Sequence, residues 1–171
     1  DFGANREHIE NLITGGVNGI LFLGSIGEFF AMTLAEKKEL ISFAVKTVDK
    51  RVPVLVGTGG TAAEDVIELS NFAKKEGVDG VAVITPYFFQ FNEETLYNYY
   101  SYIAQNVDLD LYIYNFPARS GVNISPETVF ELARDYDNIV GIKDTMDTIS
   151  HTRELIQKVK RIIVMTTLTI L

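Results

Sequence analysis

Six short apolar runs punctuate the chain: "GILFLGS" (19–25), "VPVLVGT" (52–58), "GVAVITP" (80–86), "DLYIYNFP" (110–117), "IVGIKDT" (139–145) and "RIIVMTT" (161–167). Each is β-branched or aromatic in character and nearly continuous, where a strand with one wet face would alternate. Continuous hydrophobicity over so short a span predicts strands buried on both faces, as in a parallel sheet. Successive runs begin roughly 30 residues apart, the size of a strand–helix unit.

The segments between the runs carry helix signals. "TLAE" (33–36) and "TAAE" (61–64) have the form of capping boxes, a threonine with glutamate three positions on. "SPET" (125–128) sets a serine cap before a proline in the first helical position. "GGVNG" (15–19) and "GVDG" (77–80) close helices with glycine and lead directly into strands. No linker, low-complexity stretch or shift of composition breaks the rhythm, which predicts one domain over residues 1–171. Six strands alternating with helices fit either a doubly wound open sheet or a (β/α)8 barrel. Polar residues collect at the C-terminal ends of the runs: Ser25, Thr58, Thr85, Tyr87, Tyr114, Lys143 and Asp144. Both folds place their active sites at that edge. The expected fold is α/β, a (β/α)8 TIM barrel. A whole barrel takes about 250 residues, so an incomplete piece with about six βα units is expected here.

Composition narrows the function. A formal net charge of −8 opposes binding to nucleic acid or to an anionic membrane surface, both of which attract clustered lysine and arginine. With no cysteine there is no disulfide framework and no thiolate metal site. The two histidines, His8 and His151, lie far apart on helix-like stretches and read as surface or capping residues. No apolar run approaches the roughly 20 residues of a membrane span, and the chain opens on the polar "DFGANREHIEN", so a cytoplasmic location is expected. The absence of an initiator methionine suggests that the natural N-terminus lies further upstream.

Three segments have chemistry to offer. In "GSIGE" (24–28), Gly24 and Gly27 free the backbone to curl after a strand, so that successive N–H groups form a concave nest for a carboxylate or phosphate, with the Ser25 hydroxyl beside it. The plain alternative is a tight strand-to-helix turn. In "YIYNFPARSG" (112–121), Tyr112 and Tyr114 share one face of a strand, and Tyr114, nearer its end, is placed to pass protons. Buried tyrosines more commonly satisfy one hydrogen bond. Arg119 in the following loop is a candidate carboxylate clamp, or a solvated arginine. In "GIKD" (141–144), Lys143 ends a buried run, where an apolar setting would free its amine to attack a carbonyl. Otherwise it reaches solvent or pairs with Asp144. A lysine, a tyrosine and an anion nest on three strand ends converge only if the sheet curls.

"GSIGE", "YNFP" and "GIKDT", in this order and at these separations, resemble the dihydrodipicolinate synthase / N-acetylneuraminate lyase family of class I, pyruvate-handling aldolases. The resemblance runs from about residue 5 to about residue 165. It implies a (β/α)8 barrel in which Lys143 forms a Schiff base with a 2-oxo acid and Tyr114 shuttles protons at the imine. Gly24, Ser25 and Ile26 would hold the pyruvyl carboxylate, Ser25 also serving the proton relay. It implies pyruvate as substrate, no external cofactor or metal, and a homo-oligomer of tetrameric type. The family turn usually reads G-[ST]-T-G-E, with a hydroxyl where this chain has Ile26. The synthases place a tyrosine where this chain has Phe88, while Arg119 falls where they keep an arginine for the second substrate. "GIKDTMDTISHTRELIQKVK" resembles the branch that cleaves 2-keto-3-deoxy-gluconate or -pentonate, which is the expected activity. The alternatives are a 4-hydroxy-tetrahydrodipicolinate synthase or a non-catalytic remnant that binds a small carboxylate. A third, a nucleotide-binding open sheet, would rest on "GTGGTA" (57–62). The resemblance further implies that a first barrel strand precedes Asp1 and that "LTIL" (168–171) departs from the family's continuation.

Overall fold

The computed structural model describes residues 1–166. Thr167, the last residue of the sixth apolar run, and the "LTIL" end lie outside the described residues. All six expected strands form: β1 (Ile20–Phe22), β2 (Val54–Gly57), β3 (Gly80–Ile84), β4 (Leu111–Asn115), β5 (Ile139–Asp144) and β6 (Ile163–Thr166). The helices are α1 (Phe2–Thr14), α2 (Leu34–Val48), α3 (Ala63–Glu76), α4 (Glu93–Asn106), the single turn α5 (Pro117–Ser120), α6 (Pro126–Asp135) and α7 (Ile149–Lys158), with a 3₁₀ turn at Phe29–Ala31.

The strands lie in one parallel sheet in the order β1-β2-β3-β4-β5-β6, each paired with its successor in the chain. A doubly wound sheet reverses direction at a switch point and puts early strands in its middle. A strictly sequential order is that of a (β/α)8 barrel wall, so the open-sheet alternative falls. Alternate strand residues face the helical layer. Val56, Val81, Val83, Leu111, Ile113, Ile139 and Ile142 are fully buried there. Each such aliphatic side chain contributes about 1.5–3 kcal/mol when withdrawn from water. Across the layer α2 packs on α3, α3 on α4, α4 on α6 and α6 on α7. Tyr100, fully buried on α4, donates its hydroxyl to the Val83 carbonyl at 3.0 Å, and burial raises its pKa well above the ordinary tyrosine value.

The caps explain where the helices start. Thr33 and Glu36 form the complete reciprocal box at α2, and Ser125 caps α6 with Pro126 behind it. The box read in "TAAE" does not form: Ala62 occupies the cap of α3 and offers no side-chain bond. The preceding "GTGG" turn is drawn toward the sheet and α4, with Thr58 N–H donating to the Ala82 carbonyl at 3.1 Å and the Tyr99 hydroxyl donating to the Gly60 carbonyl at 2.7 Å. Its glycines are spent on close approach. A Cβ on Gly57 would lie 2.1 Å from the Leu23 carbonyl oxygen, and one on Gly59 would lie 2.5 Å from the Ile84 nitrogen. That packing accounts for the glycine-rich stretch without a nucleotide.

Candidate active site

Strand alternation sorts the seven polar strand-end residues. β4 and β5 pair in register, Tyr114 beside Lys143 and Asn115 beside Asp144. Neighbouring residues on a strand point to opposite faces, so Tyr114 and Lys143 turn to the barrel interior while Asn115 and Asp144 turn to the helices. Thr58 and Thr85 also face outward, Thr58 hydrogen-bonding Ser70 of α3 at 2.8 Å and Thr85 donating to Ser120 at 3.0 Å. Tyr87 packs edge-on against Phe29, ring centroids 6.5 Å apart. Of the seven, Ser25, Tyr114 and Lys143 converge.

Their geometry is compact. The Lys143 ammonium sits 3.8 Å from the centroid of the Tyr114 ring and donates to Thr145 Oγ1 at 3.0 Å. The Tyr114 hydroxyl lies 3.3 Å from Ser25 Oγ. The ring itself is almost wholly buried and stacks on Phe116 at 6.0 Å. Gly57, Ala82 and Ile84 line the same interior beside Tyr114 and Gly24. A half-buried amine over a tyrosine face, with a serine hydroxyl at the phenol, can carry out carbonyl addition with local proton transfer. Tyr112 lies one layer deeper, its ring laid across Gly141.

The turn that carries Ser25 curls by a different device from the one its glycines suggest. Neither Gly24 nor Gly27 adopts a left-handed backbone; Leu23 (φ 54°) and Glu28 (φ 52°), on either side of them, do. A left-handed leucine costs roughly 1–2 kcal/mol, and strain of this kind gathers at functional sites. Leu23 is held there by burial and by the space Gly57 leaves for its carbonyl. The Glu28 N–H closes the turn on the Ser25 carbonyl at 3.3 Å. The Ile26 side chain is fully exposed.

Asp144 does not pair with Lys143. Its fully buried carboxylate accepts from Asn115 Nδ2 (3.0 Å), Thr152 Oγ1 (2.6 Å) and His151 Nδ1 (3.0 Å) on the far side of the strand. His151, read from sequence as a surface or capping residue, has a side chain only 9 % exposed. His8 is exposed as expected. The signal for His151 was available in its place, in the first helical turn past the loop that follows Asp144. Asn115, also missed, directly follows the recognised tyrosine, and Thr145 lies two residues past the recognised lysine. Arg119 stands exposed on α5, and no hydrogen bond or ion pair of its guanidinium is formed among the described residues. Among the described residues no group of histidine and carboxylate side chains is arranged to hold a metal ion, and no helix is long and apolar enough to cross a membrane.

The model of the dihydrodipicolinate synthetase family matches residues 1–167. YagE of Escherichia coli K12, which carries the name 2-dehydro-3-deoxy-D-gluconate aldolase, is 47% identical over 152 residues, 89% of this chain and 50% of its own length. YjhH of the same organism, named as a 2-dehydro-3-deoxy-D-pentonate aldolase, is 42% identical over 95% of this chain and 54% of its own. A 4-hydroxy-tetrahydrodipicolinate synthase of Hydrogenobaculum is 37% identical over 93% of the chain and 55% of its own. The crystal structure of YagE in complex with pyruvate superposes with a TM-score of 0.94 at 43% identity, covering 97% of this chain and 57% of that one. Dihydrodipicolinate synthase of Aquifex aeolicus superposes equally well, TM-score 0.94 at 34% identity over 97% of this chain and 57% of that one. The chain thus spans about half the length of the curated relatives it matches.

Proposed function

The chain belongs to the dihydrodipicolinate synthetase family, and from that premise we propose that the whole protein is a Schiff-base aldolase that cleaves or forms 2-keto-3-deoxy sugar acids. The observation that carries the reading is the placement of the Lys143 amine 3.8 Å over the Tyr114 ring, with Ser25 Oγ 3.3 Å from the Tyr114 hydroxyl.

In this reading Lys143 Nζ adds to the C2 carbonyl of the 2-oxo acid, and loss of water leaves a protonated imine. The Tyr114 hydroxyl hands protons to and from the carbinolamine oxygen, with Ser25 as its relay. In the cleavage direction a proton leaves the C4 hydroxyl, the C3–C4 bond breaks, and its electron pair moves into the imine to give an enamine and a free aldehyde. Protonation at C3 and hydrolysis then release pyruvate and restore the amine. Gly24, Ser25 and the backbone of Ile26 hold the carboxylate, and Arg119 meets the distal part of the substrate. The pyruvate-bound YagE superposition supports the first partner. The names of YagE and YjhH support the second, a hydroxyaldehyde of three or two carbons.

Pyruvate and borohydride test the reading. Reduction should fix a pyruvyl group irreversibly on Lys143, located by peptide mass spectrometry, and an unlabelled lysine in the folded whole protein would refute it. Pyruvate with glyceraldehyde or glycolaldehyde should then yield a six- or five-carbon 2-oxo acid. A second reading, 4-hydroxy-tetrahydrodipicolinate synthase, is favoured by Arg119 at the rim and by relatives of that name. Labelling of Lys143 without either aldol product would select it.

Tyr114→Phe keeps the ring under the amine and removes only the hydroxyl. Proton transfer by a positioned side chain is worth roughly 10²–10⁴-fold, so kcat should fall by about that factor while the stability hardly changes. Equal rates for the two proteins would remove Tyr114 from the relay. We further assign residues 1–171 to one barrel domain and place the whole protein in the cytoplasm as a homo-oligomer of tetrameric type. The exposed rings of Phe30, Phe88 and Phe89, at 66%, 85% and 69% exposure, support an interface near the mouth of the site. Sedimentation of the whole protein as a monomer would contradict it.

A further inference from the structure

Behind the strand ends that bear Tyr114 and Lys143 lies a buried polar network the reaction does not touch. His151, in the first turn of α7, has Nδ1 3.0 Å from Asp144 Oδ2 and Nε2 3.0 Å from the carbonyl oxygen of Ile124, in the segment between α5 and α6. A carbonyl can only accept. The Asp144 carboxylate also accepts, since Asn115 Nδ2 and Thr152 Oγ1 already donate to it. Both ring nitrogens must therefore carry hydrogen for both contacts to exist, and a ring with two N–H groups is the imidazolium. Asp144 and Asn115 immediately follow the two residues of the proposed site in each strand and pair with each other in register. Asn115 further receives the Ile124 N–H on Oδ1 at 3.3 Å, and its carbonyl receives the Thr145 N–H at 2.8 Å.

We propose that His151 is a positioning residue for Lys143. As an imidazolium it bridges the Asp144 carboxylate to the Ile124 carbonyl, pins the end of β5 against β4, and keeps the carboxylate turned away from the lysine amine. This rests on the reading of Lys143 as the reacting amine. Loss of the ring proton would set a bare nitrogen against an acceptor and break one arm of the bridge.

The surroundings favour the charged ring. The hydrogen bond to Asp144 raises the pKa of His151, burial opposes it, and the charge of Asp144, the Ile124 carbonyl and Glu154 add to the rise. At Asp144 burial acts upward, but the bonds from His151, Thr152 and Asn115 outweigh it and leave the carboxyl below its ordinary range. The other charges on the two packed helices are Arg153 and Lys158 of α7 and Glu127, Glu131, Arg134 and Asp135 of α6; Lys158 pairs with Glu127 and lies 4.0 Å from Glu154, and Arg134 pairs with Asp135. Because the folded pKa of His151 is raised, the bridge is fully present below the ordinary histidine range of about 6.5. It is lost as pH rises through the raised value.

Two measurements on the whole protein test the role. Nitrogen-edited NMR of the ring should show both N–H groups at pH 7, titrating above free histidine; a neutral ring with one N–H would overturn the bridge. The second compares pyruvate–borohydride labelling of Lys143 in wild type and His151→Asn across pH. Asn keeps a donor to Asp144 but has no charge and no reach to Ile124, and His151→Leu removes both arms should Asn rearrange. A misplaced reacting group loses rate on the order of 10-fold or more, so wild type should label about that much faster below the His151 titration. The ratio should fall toward one above it. A ratio that is flat with pH overturns the positioning role alone. Absence of any labelling in wild type overturns the imine chemistry, and the positioning role with it.

Discussion

Lys143→Ala is expected to abolish covalent capture of pyruvate and to lower turnover by at least about 10³-fold, because the proposed mechanism runs through an imine on this amine. The fold should survive. Lys143 is half-buried, and what its side chain gives up is one bond to Thr145 Oγ1 and its place over the Tyr114 ring. A cation–π contact of this kind contributes about 0.5–1 kcal/mol. For a chain of this size each kcal/mol moves the melting midpoint by roughly 2–4 °C, so a small thermal shift should accompany a complete loss of labelling. Lys143→Arg sharpens the result. It keeps a cation over Tyr114 but offers a guanidinium, which stays protonated and does not condense with a ketone. If Arg retained turnover, the role of position 143 would be charge alone and the imine mechanism would be wrong. If both variants lose labelling and keep the fold, charge is excluded as the explanation.

The barrel wall was legible because its physics is local and repeated. Both-face burial makes each strand a continuous apolar run, and the six runs map onto the six strands within a few residues at each end. The complete box at Thr33 and the Ser125–Pro126 start are equally local, since a cap reaches three residues along its own helix. Thr61 carries the same pattern and fails, because the cap falls at Ala62 once the "GTGG" turn is drawn against its neighbours. The site divides along the same line. Lys143 and Tyr114 were recognisable at their strand ends, and the two-residue period of a strand already separates Lys143 from Asp144. What the sequence could not display is which outward carboxylate meets which helix. The bridge from Asp144 through His151 to Ile124 joins three segments whose closeness exists only after α7 docks. The curl at Ser25 was attributed to its glycines, whereas the left-handed residues are Leu23 and Glu28. Nothing in their side chains announces a conformation imposed by the packing around them.

That misattribution leads to a pair of substitutions with opposite expectations. Gly57→Ala places a methyl group 2.1 Å from the Leu23 carbonyl oxygen and 3.0 Å from its carbon. Both are backbone atoms, and Leu23 already sits in a strained left-handed conformation at φ 54°, so no side chain can swing aside to make room. The end of β1 must retreat, and the Ser25 turn goes with it. Overpacking costs typically 1–3 kcal/mol and occasionally more, so a loss of about 3 kcal/mol is expected, read as a lower urea midpoint at unchanged slope. Because Ser25 Oγ is 3.3 Å from the Tyr114 hydroxyl, the same shift should open that contact and slow labelling of Lys143. Gly24→Ala, in the recognisable "GSIGE" motif, meets nothing within 4 Å and needs no left-handed backbone. Its stability should stay within about 0.5 kcal/mol of wild type, while a methyl group at the turn proposed to hold the carboxylate should weaken pyruvate binding. A Gly57→Ala protein with an unaltered midpoint would mean that β1 can move away at no cost, and that Leu23 is not held in place by the space beside it. A strongly destabilised Gly24→Ala would return the curl of the turn to its glycines.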